Sequence, residues 1–322
     1  MNPPFSITPK ILGDIGRIER LIGRVEGLHE PKPQPYLRKS NRVRTVQGSL
    51  AIEGNTLDLE QVTALIEGKV VIGKKEEIQE VLNAIEAYDS IRQLDPFSMR
   101  DFLKSHGVML RDLVDQPGKL RSSDVGIVKG SVVSHVAPQA DRLNHLMQEL
   151  FAFLGNEDHH SLIRGCVFHY ELEFIHPFVD GNGRMGRFWH SLLLYDYHPV
   201  FEYIPVESVI KENQKEYYEA LEKSDSLGDS TPFLEFSLSV IHQALADFLN
   251  ALQPAPLSPE KRLEIAHSHF GDSPFSRKDY INHLKTISSA TASRDLKFGV
   301  DRKFLSKEGK NAQTTYKYIG PN

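Results

Sequence analysis

The sequence predicts a mainly α-helical protein with one β-hairpin near its middle and a small separate module at its C-terminal end. Three observations carry this. Apolar residues recur at i, i+3 and i+4 in seven stretches before the proline cluster that follows residue 252. β-branched runs are confined to residues 124–138 and to the last part of the chain. The proline cluster, residues 252–259, coincides with a change of charge: residues 256–322 carry twelve Lys and Arg against seven Asp and Glu, a formal +5, although the whole chain stands at −5.

Taken in order, helical spacing runs through residues 11–25, 43–52, 77–91, 143–154, 162–175, 188–197 and 233–252. The second of these reaches a stop at Gly54 and Asn55, and Asp58 with Gln61 has the capping-box spacing that restarts a helix. Between the third and fourth, two β-branched runs flank Lys129-Gly130-Ser131 and read as a hairpin. Beyond residue 256, two short helical patterns precede two strand-like runs around a Gly/Asn turn.

At 322 residues, with 40% hydrophobic and 25% charged residues, the chain has room for two or three domains. No run approaches the length of a membrane span, and the first residues lack the basic-then-apolar order of a signal peptide, so a cytoplasmic protein without membrane contact is expected. The lone cysteine, Cys166, lies in an apolar pattern and reads as a small core residue. His159, His160, His169 and His176 lack the ligand spacing of a zinc helix, and no partner thiolates accompany them.

The most informative stretch is FIHPFVDGNGRMGRFWH, residues 174–190. Pro177 disfavours helical geometry at His176, which places that imidazole at a helix end. Gly181, Asn182 and Gly183 tolerate positive φ, and a second helix is expected to start near Arg184, so the turn aims backbone N–H groups at an anion. Arg184 and Arg187 lie three apart on one helical face, suited to neighbouring phosphoryl groups. Asp180 offers a hard oxygen ligand for Mg²⁺ beside them. His176 is the candidate general base.

These residues resemble the signature of the Fic family at each defining position: His176, Phe178, Asp180, the run Gly181-Asn182-Gly183-Arg184, then Met185, Gly186 and Arg187. The resemblance implies a Fic-type helical bundle, with a helical region at 1–95, a catalytic core at 96–252 and a winged-helix-like module at 256–322. It implies transfer of AMP from ATP to Ser, Thr or Tyr hydroxyls of target proteins, with Mg²⁺ and with the chain's own hydroxyls among the acceptors. A variant loop with Lys at the second glycine goes with phosphorylation; here that position is Gly183, which favours AMP transfer. The hairpin, with Val125, Gly126, Ile127 and Val128 on its first strand, resembles the family's flap, which docks the target backbone as an added strand. Tyr217 and Tyr218 resemble the tyrosines that border the adenine.

Upstream, Ser49 and Glu53 in SLAIEGN resemble the family's inhibitory motif. They lie four apart on one helical face, and the resemblance implies that Glu53 pairs with Arg187 and withholds it from the γ-phosphate. It leaves open a second use of Glu53 in removing AMP. For the basic module, residues 289–298 are the expected recognition helix, with Arg294 and Lys297 as candidate phosphate contacts. A docking or homodimer role is favoured there over DNA binding, because +5 is modest. The competing functional class is a nucleotide-sensing winged-helix DNA-binding regulator, in which the core holds ATP without using a base.

Overall fold

Helices dominate wherever an apolar stripe reaches ten or more residues. The computed structural model describes residues 3–28, 35–129, 132–252, 257–285, 287–309 and 313–319. They form two compact units, residues 1–252 and 253–322. The helical region and the core that the sequence separates at residue 95 are parts of the first unit.

The first unit opens with α1 (Pro9–Glu26), capped by Thr8 with proline at its first position, and α2 (Pro35–Ile52). The latter ends in a Schellman turn, in which Asn55 N donates to Leu50 O at 3.2 Å and Gly54 N to Ala51 O at 3.3 Å, with Gly54 at φ 93°. The expected capping box, Asp58 with Gln61, starts α3 (Leu59–Ile66). Two further helices, α4 (Lys75–Ser90) and α5 (Met99–Met109), lead to the hairpin of β1 (Gly126–Lys129) and β2 (Val132–Val136). The strands pair antiparallel from Gly126↔Val136 to Lys129↔Val132, with a bulge between Ile127 and Val128. The expected turn residues Gly130 and Ser131 lie outside the described residues.

The centre is α6 (Leu143–Leu154), α7 (Ser161–Ile175) and α8 (Asn182–Tyr197), followed by α9 (Val206–Glu212), α10 (Gln214–Leu227) and α11 (Thr231–Leu252). Residues on every side of α7 are buried, as a helix enclosed by others requires: α8, α6 and α11 all pack on it. Gly186 permits the α7–α8 approach, since a Cβ there would stand 2.8 Å from His169 Cδ2. Short helices such as α5 and α9 escaped the sequence analysis because their apolar residues are too few to establish a period.

The second unit contains α12 (Pro259–Phe270), β3 (Phe275–Ser276), α13 (Arg277–Leu284), α14 (Ser289–Asp301), β4 (Leu305–Glu308) and β5 (Thr315–Tyr318). Its sheet order is β3-β5-β4, a winged-helix arrangement with α14 as the expected recognition helix. The sequence analysis found two of the three helices; α12 follows the proline cluster directly. Leu263, Phe275, Tyr280, Leu296 and Leu305 make the core, and the buried Asp295 binds Arg262 at 2.6 Å and Tyr280 Oη at 3.2 Å.

Gly48 sits where α2 crosses α9, and a Cβ there would lie 2.8 Å from Ser208 N, a backbone atom that cannot swing aside. Gly48→Ala is expected to lower stability by about 1–2 kcal/mol despite its better helix propensity. Gly16→Ala in α1, where a Cβ meets nothing within 4 Å, should instead gain about 0.5–1 kcal/mol. Urea midpoints of both variants check the opposite signs.

Candidate active site

The site is the loop between α7 and α8. His176 closes α7 ahead of Pro177, where the sequence predicts the helix to stop, and takes the left-handed conformation, φ 50° and ψ 59°. Its Nδ1 lies 3.3 Å from Glu173 O, and its backbone N donates to Leu172 O. Phe178 is fully buried and stacks on His106, with ring centroids 3.6 Å apart. Asn182 braces the turn: its Oδ1 accepts from Phe178 N and its Nδ2 donates to Phe178 O, both at 2.9 Å.

The second helix starts at Asn182, two residues before Arg184, and of the three residues that tolerate positive φ only Gly181 uses it, at 84°. Asn182 and Gly183 already belong to the helix and take its geometry. Gly183 is required for a different reason: a Cβ on it would stand 2.4 Å from Glu53 Oε1 and 3.0 Å from Arg187 Nη1.

Arg187 is buried, and its Nη2 donates to Glu53 Oε1 at 2.7 Å and to Ser49 O at 3.0 Å, with Nε reaching Ser49 Oγ at 3.3 Å. Burial by itself would lower the guanidinium pKa; the Glu53 carboxylate, with Tyr217 and Glu173, outweighs it and holds the group firmly charged. Ser49 and Glu53 thus meet Arg187, the geometry that the sequence motif implies.

Arg184 is placed differently from the expectation of a second open clamp. It is nearly as buried as Arg187, and donates to Asp180 Oδ2 and to Glu80 Oε1, each at 2.9 Å, because an i,i+4 carboxylate and an α4 carboxylate flank it. Glu80 Oε2 in turn accepts from Asn55 Nδ2 at 2.7 Å. A hydrogen-bonded path therefore runs from the Schellman turn after α2 to Asp180. Asp180 also accepts from Gly181 N at 2.6 Å, and its side chain is 57% exposed.

The remaining candidates divide by burial. The Met185 side chain is fully buried in the core, so only its backbone lies in the loop, and Gly186 serves helix packing. Tyr217 is also inside: its hydroxyl lies 3.3 Å from both His169 Nε2 and Glu173 Oε1, which removes its ring from a nucleotide-facing surface. Tyr218 is exposed, with its hydroxyl 3.5 Å from Ile52 O beside Glu53. Val125 to Val128 lie along the first hairpin strand and the residue before it. Cys166 is buried, and burial pushes its thiol pKa up to about 12.

Glu80 and His106 were missed by sequence reasoning. Glu80 gave no signal beyond one more charged residue on a helix, and its role depends on α4 meeting α8. His106 accepts from Gly118 N at 2.8 Å through Nδ1, so its Nε2–H donates to Asp180 O at 3.0 Å. Burial lowers its pKa to about 4, and this neutral imidazole supports the loop from below.

With the geometry in hand, the comparisons are specific. A family model described as Fic/DOC family matches residues 96–194. The Fic family protein from Desulfovibrio desulfuricans G20 is 38% identical, with 100% of this chain and 99% of that one covered and a TM-score of 0.76. Fic-1 from C. elegans is 25% identical over 75% of this chain and 72% of that one, with a TM-score of 0.60. Curated relatives named protein adenylyltransferase Fic include that of Nematostella vectensis, 28% identical over 69% of this chain and 52% of its own length. That of Drosophila melanogaster is 30% identical over 68% of this chain and 44% of its own length. A helical bundle of this class with the loop intact defines the family: the chain belongs to the Fic family. It spans about half the length of the curated relatives it matches.

The depressed pKa of His106 carries a pH prediction. The folded state binds fewer protons at this site than the unfolded one between about pH 6.5 and about 4, so the stability it supports is present at neutral pH and lost as pH falls through that window. Glu173 and Glu171, raised to about 7 mainly by burial, act with the opposite sign. The unfolding free-energy difference between wild type and His106→Asn isolates the histidine, and it should shrink by about 2–3 kcal/mol from pH 7 to pH 4.

Proposed function

We propose that the protein is an autoinhibited adenylyltransferase that moves AMP from ATP to Ser, Thr or Tyr hydroxyls of protein targets and releases pyrophosphate. The observation that carries it is the Glu53 carboxylate against Gly183 and Arg187 at the start of α8, where helix N–H groups and a buried guanidinium otherwise receive an anion. A carboxylate parked on an anion site is what self-inhibition of a nucleotide loop requires. The names of the curated relatives support the same chemistry.

The mechanism follows from the placement of each group. The Glu173 carbonyl can only accept, so His176 carries its proton on Nδ1 and keeps the Nε2 lone pair for the base role. Nε2 takes the proton of the incoming hydroxyl as that oxygen bonds to the α-phosphorus. The bond from the α-phosphorus to the bridging oxygen breaks, and pyrophosphate leaves with the electron pair. Amides at the start of α8 stabilise the charge that develops. Arg187, once freed of Glu53, takes the γ-phosphate. Arg184 Nε, buried and without a partner among the described residues, is a donor left over for a phosphoryl oxygen.

Asp180 fits a Mg²⁺ ligand: it is half exposed and each carboxylate oxygen accepts one hydrogen bond, which leaves lone pairs outward. When bound there, Mg²⁺ supplies neutralisation of the phosphate charge. The two-stranded hairpin offers strand edges to a target backbone, and the exposure of Tyr218, against the burial of Tyr217, supports Tyr218 as the tyrosine that borders the base.

One observation favours the regulator as a second reading. In the second unit a groove of ≈ 930 Å³ is lined by Arg277, Lys278, Lys297 and Lys307 with Asp301 as its acid. Labelled ATP separates the two classes: label transferred to protein supports the enzyme, and reversible binding with duplex affinity supports the regulator.

Removing Glu53 is expected to raise auto-adenylylation at saturating ATP by at least about tenfold. A charge-assisted hydrogen bond is worth about 1.5–3 kcal/mol; the low end applies to a carboxylate that is 37% exposed. Because Glu53→Gly leaves a buried guanidinium short of its closest counter-charge, its melting temperature should fall, and ATP should raise it more than in wild type. Equal rates for the two proteins would remove the inhibitory role of Glu53.

His176→Ala, made in the Glu53→Gly background, should abolish label transfer while ATP affinity stays within about threefold, since the imidazole acts on the proton and the cradle holds the phosphates. Parallel loss of ATP binding by calorimetry would assign His176 to binding instead.

A further inference from the structure

Arg121 follows the loop after α5 and precedes the hairpin, and its side chain is buried. Nε donates to His176 O at 2.8 Å, Nη1 to Ser123 O at 2.8 Å, and Nη2 to Pro138 O at 2.5 Å and Ile175 O at 3.4 Å. Its own backbone N donates to Pro177 O at 2.9 Å. We infer that Arg121 is a positioning residue that locks the backbone of His176 to both roots of the β1–β2 hairpin.

The chemistry of the side chain explains the choice. A guanidinium has five donors in a rigid plane and no acceptor, so it can bridge carbonyls from separate segments, which a lysine nitrogen cannot do with the same reach. Here the bridged carbonyls belong to the end of α7, to Ser123 three residues before β1, and to Pro138 two residues after β2. The carbonyls of Ile175 and His176 carry the negative end of the α7 dipole, which favours a cation. The bond to His176 O also fixes a non-glycine residue at positive φ, a conformation that needs support from its surroundings. One side chain thereby sets the distance between the imidazole and the strand that is to present the target. Errors of about 1 Å in such a distance cost on the order of a hundredfold in rate.

The inference rests on the adenylylation reading for its kinetic consequence and on geometry alone for the bridge, so the test has two arms. In a Glu53→Gly background, Arg121→Ala and Arg121→Lys are compared with their parent by single-turnover auto-adenylylation over a range of ATP concentrations, and by backbone hydrogen exchange. The alanine variant is expected to lose about a hundredfold at saturating ATP and the lysine variant about tenfold or more, with half-saturation by ATP unchanged within about threefold. Exchange should accelerate together in residues 122–124, 137–139 and 175–178, with the α1–α11 pair unaffected. Unchanged rates, or a loss that appears only as weaker ATP saturation, overturn the positioning role. Faster exchange in one of the three segments alone, or throughout the chain, overturns the bridge. If the alanine variant does not fold, the same criteria apply to the lysine variant. If the parent moves no label, the adenylylation reading fails, and the exchange pattern still decides the bridge.

Discussion

A buried guanidinium needs a counter-charge, and in this chain Arg187 takes it from Glu53 at 2.7 Å. Much of the first unit is arranged around that pair. α2 must end where its last turn reaches α8, and the Schellman turn at Gly54 and Asn55 ends it there. Gly183 must lack a side chain, because the carboxylate occupies the space a Cβ would take. The pair is half open to solvent on the Glu53 side and closed on the Arg187 side. An anion that replaces the carboxylate leaves the arginine satisfied, so the contact suits exchange with a phosphate better than a fully buried ion pair would.

Around this centre, polar groups brace the loop so that its backbone stays open. Asn182 closes the turn on Phe178, His106 holds Asp180 from below, and Glu80 ties Arg184 to the end of α2 through Asn55. This path couples the position of the proposed inhibitory carboxylate to that of the proposed metal ligand. Removal of Glu53 by substitution leaves Asn55 and Glu80 in place. The brace and the plug are therefore separate devices on one turn of chain.

The buried histidines belong to the floor. His169 and His190 face each other through Nδ1 at 3.2 Å, and burial lowers the pKa of both, to about 4 for His190. With Tyr217 and Glu173 they form a polar layer under Gly186 and Arg187. The aromatic pair Tyr217-Tyr218 shows what sequence spacing leaves open: adjacent helix positions point about 100° apart, so one ring faces the core and the other the surface.

The sequence by itself determined the local features: where α7 stops, where α2 stops, the capping box at Asp58, the hairpin, and the contiguous loop from His176 to Arg187. These depend on neighbours within a few residues, through proline sterics, glycine φ and capping hydrogen bonds. Ser49 and Glu53 were legible too, through their resemblance to a family motif. Only the tertiary structure decided that Arg184 is held by Asp180 and Glu80. Only it decided that Tyr217 lies inside, that Gly183 is empty for the sake of a residue far away in sequence, and that Arg121 meets the loop at all. Those outcomes depend on contacts between segments tens of residues apart, and neither the period nor the composition of a segment records what stands opposite it.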